Sequence, residues 1–158
     1  MKRSGGRNRS IVIDASNLIL GRLASNVAKR ILNGEQVIIV NAEKAVISGS
    51  KKNIVAKFET RLGLRTLGSQ KKAPKRPRKP NNFIRRVVRG MLPWDKSRGK
   101  MAYRRLKVYI GVPQEIKVSL QTLPKAKKDE KMNKFITVGE LLKTFSWNNK
   151  VNLYANDI

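Results

Sequence analysis

The chain has no cysteine and no histidine. Together these absences exclude disulfides, the usual zinc ligands, Ser-His and Cys-His nucleophile systems and the commonest general base. A thiol-free chain fits a reducing compartment. Acids are scarce as well: 10 Asp and Glu stand against 36 Lys and Arg, a net charge of +26 over 158 residues. No apolar run approaches the roughly 20 residues needed to cross a bilayer. The basic start, Met1 to Ser10, lacks the apolar centre of a signal peptide. The expectation is a soluble, intracellular, cytoplasmic protein.

What is present makes a globular domain. Hydrophobic residues form 40% of the chain, too many for a disordered basic tail, and the length suits one domain with a real core. A compact body with this charge repels itself. Solubility asks for a net charge of only about 2–8, so a polyanion is the expected partner.

Ile11-Val12-Ile13 is a short β-branched run followed by Asp14. Leu20, Leu23, Val27 and Ile31 then recur at helical spacing, with Ala24 and Ala28 on the same face and Gly34 placed to end the helix. Val37 to Val40 is continuously apolar, as in a strand covered on both sides. Strand, helix, strand in this space predicts a parallel βαβ unit. Ala45-Val46-Ile47 suits a further short strand. Ile54, Val55, Phe58 and Leu62 predict a second helix from Ser50, closed by Gly63.

From Gly68 to Asn82 the periodicity stops, and Pro74, Pro77 and Pro80 predict an extended, solvated chain. Asn81 or Asn82 can cap a third helix, Phe83 to about Met91. Phe83, Ile84, Val87, Val88 and Met91 fall on one side of it, and Arg85, Arg86 and Arg89 on the other. Lys107 to Gly111 predicts a last strand. The chain beyond Pro113 is basic and irregular until Thr137-Val138-Gly139-Glu140, a capping box ahead of Leu141, Leu142 and Phe145.

The carboxylates show no spacing that would pair two of them for acid/base work. Asp14 ends a strand, where α/β proteins often bind ligands, but it equally suits a turn before the helix. Gly21 and Gly49 precede helices without matching a phosphate-loop or dinucleotide motif. Lys51 and Lys52, at the start of the second helix, either hold a backbone phosphate there or are simply exposed.

The sharpest feature is one-signed charge. Residues 71 to 107 hold Lys71, Lys72, Lys75, Arg76, Arg78, Lys79, Arg85, Arg86, Arg89, Lys96, Arg98, Lys100, Arg104, Arg105 and Lys107, and Asp95 is their only acid. An ordinary solvated face mixes both signs, whereas this density reads as a phosphate-binding surface. Guanidinium forks suit phosphate better than ammonium groups do. The aromatic pattern of an RNA-recognition motif is missing, so base stacking is not the obvious mode. Read from residues alone, this is a basic α/β domain that binds nucleic acid.

One stretch carries the reading further. "VRGMLPWDKSRGKMAYRRLKVYIGVP", Val88 to Pro113, resembles the signature region of the large-subunit ribosomal protein L-thirteen family. "IVIDASNLILGRLASNVAKRIL" is similar to that family's opening strand and helix, and "VIIVNAEKAVISG" to its second strand and following turn. The resemblance runs over residues 11 to 113.

It implies a three-layer α/β/α fold around a small, mainly parallel sheet, with basic loops and an irregular C-terminal extension. It also implies a non-catalytic constituent of the large ribosomal subunit, without cofactor, metal or small-molecule substrate. Such a protein binds large-subunit ribosomal RNA, touches neighbouring ribosomal proteins and joins early in assembly. "GSQKKAPKRPRKP" stands where bacterial members carry a Tyr- and Gly-rich stretch, and "DKSRG" follows the archaeal and eukaryotic style. The long basic C-terminal helix of eukaryotic members is absent, so the archaeal type is expected.

The expected organisation is a basic arm (1–10), an α/β core (11–112) containing the RNA-binding segment 68–107, and an extension (113–158) with a short helix. Met91, Leu92 and Pro93 are expected to anchor a turn that presents Lys96, Arg98 and Lys100. Trp94 packs beside them or stacks on a nucleotide. Two other classes are open at this stage: an RNA-modifying or nucleotide-binding enzyme, and a nucleic-acid-binding regulator free of the ribosome.

Overall fold

The structure is a computed structural model that describes residues 10–64, 66, 68, 74–114, 116, 121–129 and 132–145. Strand β1 (Ser10–Asp14) leads into helix α1 (Leu20–Leu32), which returns to β2 (Gln36–Val40). The two strands are parallel, with Ile11 opposite Val37 and Ile13 opposite Ile39. This is the expected βαβ unit. The last turn of α1 closes as the sequence indicates: Gly34, at φ +99°, donates to the Ile31 carbonyl, and Glu35 N–H to that of Arg30. A side chain with a Cβ disfavours that left-handed conformation.

A turn of 3-10 helix (Ala42–Lys44) follows, then β3 (Val46–Ser48), α2 (Lys51–Gly63), α3 (Pro80–Gly90), α4 (Ser97–Arg104) and β4 (Leu106–Val108). Strand β4 lies parallel to β2 on the side away from β1, with Leu106 opposite Val37 and Val108 opposite Ile39. The α/β fold around a small parallel sheet is therefore as expected. Hydrogen bonding outlasts β4 itself, since Tyr109 N–H donates to Ile39 and Asn41 N–H to Gly111. Beyond these, β5 (Phe135–Thr137) pairs antiparallel with β3 in a second small sheet and leads directly into α5 (Val138–Lys143). Thr137 and Glu140 form the reciprocal capping box, which typically stabilises a helix by about 1 kcal/mol.

The main core lies on one face of the parallel sheet. Ile13, Val37, Ile39, Leu106 and Val108 meet Leu23, Val27 and Ile31 of α1, Ile84 and Val88 of α3, and Ala102 of α4. Ile136, Val138, Leu141 and Leu142 close the same core from the C-terminal side. Each such Leu or Ile contributes about 1.5–3 kcal/mol by leaving water. Val12 and Val40, on the other face, are fully buried too, so the sheet is covered on both sides there.

Three local expectations need correction. Helix α3 begins at Pro80, with Lys79 as N-cap, rather than after an Asn cap. Proline lacks only an N–H that a first helical residue leaves unbonded anyway. Met91 ends the helix 43% exposed, so Leu92, which is buried, anchors the turn without it. Gly63 is the last residue of α2 rather than a left-handed stop.

Helix α4 was not anticipated. Its buried residues are small, Gly99 and Ala102. A Cβ on Gly99 would stand 2.1 Å from the Pro93 carbonyl oxygen. Ala is ordinarily the better helix residue by about 1 kcal/mol. At Gly99 the sign reverses, and Gly99→Ala should cost about 1–3 kcal/mol because the obstruction is backbone. Gly21→Ala, in the first turn of α1 with open space around it, should instead stabilise by about 0.5–1 kcal/mol. Urea melts of the two variants decide between these signs.

Asp14 turns out to be a fastener between strand ends. Its Oδ1 accepts from Ser16 N–H (3.0 Å), Ser16 Oγ (2.8 Å) and Asn41 Nδ2 (2.9 Å). Burial pushes its carboxyl up, but the bonds from Asn41 and Ser16, with Lys44 nearby, outweigh this and hold it below the ordinary value. A carboxylate lowered on folding stabilises the protein above its unfolded pKa of about 3.9, and that contribution is lost as pH falls through the lower folded value. Wild type should therefore lose more stability below about pH 4 than Asp14→Asn does, as melting against pH would show.

Candidate nucleic-acid interface

Helix α3 separates two chemistries. Ile84 and Val88 are fully buried, with Phe83 and Val87 half-buried beside them. On the other side Arg85, Arg86 and Arg89 line an open cleft of about 290 Å³. The opposite wall is Lys75, Arg76 and Pro77, and Tyr103 of α4 and Asn82 complete the lining. Residues 74–78 form neither helix nor strand, as their prolines dictate, yet Arg76 and Pro77 are half-buried and Pro80 is buried. This part of the basic segment lies against α3 rather than free in solvent.

The electrostatics of the cleft are one-sided. Among the described residues none of its five cations forms an ion pair. The ion pair that is present, Arg30 to Glu35 at 3.9 Å, belongs to the end of α1. The Nε atoms of Arg76 and Arg85 are shielded from solvent and have no hydrogen-bond partner among the described residues. A buried donor left unpaired costs about 1–3 kcal/mol.

Two arginines are held by rings. The Arg89 guanidinium carbon lies 3.9 Å from the centre of the Trp94 ring, and that of Arg85 lies 5.1 Å from the centre of Tyr103. The two rings meet edge to face at 5.4 Å. Trp94 is half-buried.

The structure distributes the other predicted residues unevenly. Lys96 is the N-cap of α4, which carries Arg98, Lys100 and Arg104, all exposed. Arg78 and Lys79 are exposed where the chain enters α3. Arg105 is engaged internally. Its Nη1 donates to the Ile31 carbonyl at 3.2 Å, tying β4 to the end of α1. Lys107 is exposed on the sheet face opposite the main core. Lys51 and Lys52 are exposed in the first turn of α2 and are not among the residues that line the cleft. Lys71 and Lys72 lie outside the described residues. Tyr103 and Asn82 were not anticipated; the available signal was that Trp94 and Tyr103 are the two aromatics between Ile84 and Val108.

A polar cavity lies at the strand ends. This second cavity, about 350 Å³, is lined by Ser16, Asn17, Glu43, Lys44, Thr137 and Glu140, among others. Both its carboxylates are engaged with backbone, Glu43 accepting from Gly111 N–H at 3.1 Å and Glu140 from Thr137 N–H at 3.4 Å. Among the described residues no group of acids could hold a metal ion, and no helix is long and apolar enough to cross a membrane.

Fold and surface together define a basic α/β protein whose arginine side of α3 gathers cations with no ion pair among the described residues. Comparison with known proteins gives the family. The sequence profile of the family described as Ribosomal protein L13 matches residues 8–115, and the chain belongs to that family. It is 47% identical over 136 residues to the large ribosomal subunit protein uL13 of Archaeoglobus fulgidus, covering 82% of this chain and 83% of that one. The uL13 of Methanococcoides burtonii is 48% identical over 82% of this chain and 93% of its own. That of Aeropyrum pernix is 43% identical over 93% and 96%. These relatives are archaeal, in keeping with the expected type.

Proposed function

We propose that this protein is a structural constituent of the large ribosomal subunit, that it binds large-subunit ribosomal RNA, and that it supports early subunit assembly in the cytoplasm without catalysing a reaction. The observation that carries the reading is the cleft beside α3, where five cations gather without an acidic partner, on a chain of the Ribosomal protein L13 family. RNA phosphates neutralise such a surface and relieve its self-repulsion. Segment 68–107 is the main contact, with Lys51 and Lys52 as a secondary one. Neighbouring ribosomal proteins are further partners. The non-catalytic reading rests on membership of the Ribosomal protein L13 family.

Sedimentation of a cell lysate tests the proposal. The protein should travel with the large subunit, and a stable pool free of ribosomes would favour a separate regulator instead. In isolation, with about eight phosphates neutralised, log affinity for its RNA should fall against log salt with a slope of about −6 to −7. A slope shallower than about −2 would contradict an electrostatic interface.

A further inference from the structure

We infer that Trp94 and Tyr103 are positioning residues, whose rings hold Arg89 and Arg85 as a ready-made clamp, and that the cleft beside them seats an RNA backbone phosphate rather than a base. The inference rests on RNA binding by the arginine face and specifies how that face works.

Arg85 and Arg89 stand one turn apart on α3, and each guanidinium lies over a ring supplied by the segment that leads into and forms α4. The rings touch each other, so the four side chains form one continuous row: Arg89, Trp94, Tyr103, Arg85. A guanidinium carries its five N–H donors in its own plane. Stacking occupies the face of that plane, and on Arg85 the Nε edge is shielded as well, so the Nη donors are the ones left for the paired contacts that phosphate oxygens accept. It also restricts two long side chains before RNA arrives, which lowers the ordering cost of binding.

The same geometry argues against base stacking. On each ring one face is already covered by a guanidinium, and Trp94 and Tyr103 also meet edge to face. The cleft itself presents nitrogen donors. Arg76 from one wall and Arg85, Arg86 and Arg89 from the other line it, with no acid among the lining residues. A phosphate is the nucleic-acid group that accepts from several such donors at once.

The test uses the full chain and deproteinised large-subunit ribosomal RNA. Trp94→Leu and Tyr103→Leu should each weaken binding about 5- to 20-fold with an unchanged salt slope, because every cation remains. Tyr103→Phe, which keeps the ring, should recover what Tyr103→Leu loses. A second arm needs no change at either ring. The chain has two tryptophans, so in a Trp147→Phe background the emission reports Trp94 alone. It should respond equally to oligouridylate and to an abasic phosphodiester oligomer of the same length. Quenching by oligouridylate alone means that a base stacks on Trp94 and overturns the inference. So does wild-type affinity in both Leu variants while wild type itself binds. Wild type that fails to bind the RNA would instead overturn the parent reading, and this one with it.

Discussion

Val88→Asp is expected to leave the protein unfolded at room temperature, whereas Val87→Asp should still fold with a lowered melting point. Both valines lie on the apolar side of α3, but Val88 is fully buried among core residues while Val87 is half-buried. An aspartate at Val88 must either stay charged without a partner or take up a proton, and each course costs several kcal/mol. Losses above about 4 kcal/mol consume much of a typical domain stability of about 5–15 kcal/mol. At Val87 the carboxylate can turn toward water, and neighbouring arginines soften the cost. Circular dichroism melts of the two variants provide the measurement. A cooperative Val88→Asp melt within a few degrees of wild type would show that α3 does not pack as described.

The difference between these valines marks how far the sequence could be read. Periodicity assigned both to one face, but the depth of each depends on what packs over it, and α3 packs against α1, β4, the 3-10 turn and α5. Elements whose burial rests on large apolar residues were legible: β1, α1 and β2 follow from Ile, Leu and Val spacing. Helix α4 was hidden because its contact surface is Gly99 and Ala102 set among charges, so no apolar period emerges. Pro80 misled because proline reads as a breaker until its place in the first turn is known. The pairing of β3 with β5 joins segments almost ninety positions apart, which no local pattern encodes.

The candidate site divides in the same way. Charge density pointed to residues 71–107, but it could not separate arginines gathered at the cleft from Arg105, which serves the Ile31 carbonyl. Nor could it place Lys107 on the other side of the sheet. Those distinctions are tertiary. A run of like charges looks uniform until a helix and an extended segment fold its members toward or away from one another.

Replacing Arg85, Arg86 and Arg89 together with Gln should separate RNA binding from folding. Gln is a good helix former, and the three positions face the cleft rather than the core. Two ring contacts are lost, each worth about 0.5–1 kcal/mol where exposed. Removing three positive charges from a chain of net charge +26 relieves repulsion in return. The melting point should therefore move by only a few degrees. Binding should change far more: the loss of about three phosphate contacts lowers the salt slope by about 2–3 units, or about 100- to 1,000-fold in affinity at about 0.1 M salt relative to 1 M. Arg105→Gln is the converse control. It removes the bond that ties β4 to the end of α1, so it should cost about 1 kcal/mol of stability and leave most of the salt slope in place. If the triple variant keeps wild-type affinity and slope, the arginines of α3 do not face RNA. If Arg105→Gln lowers the slope as much as the triple variant does, the interface lies along β4 instead of the cleft.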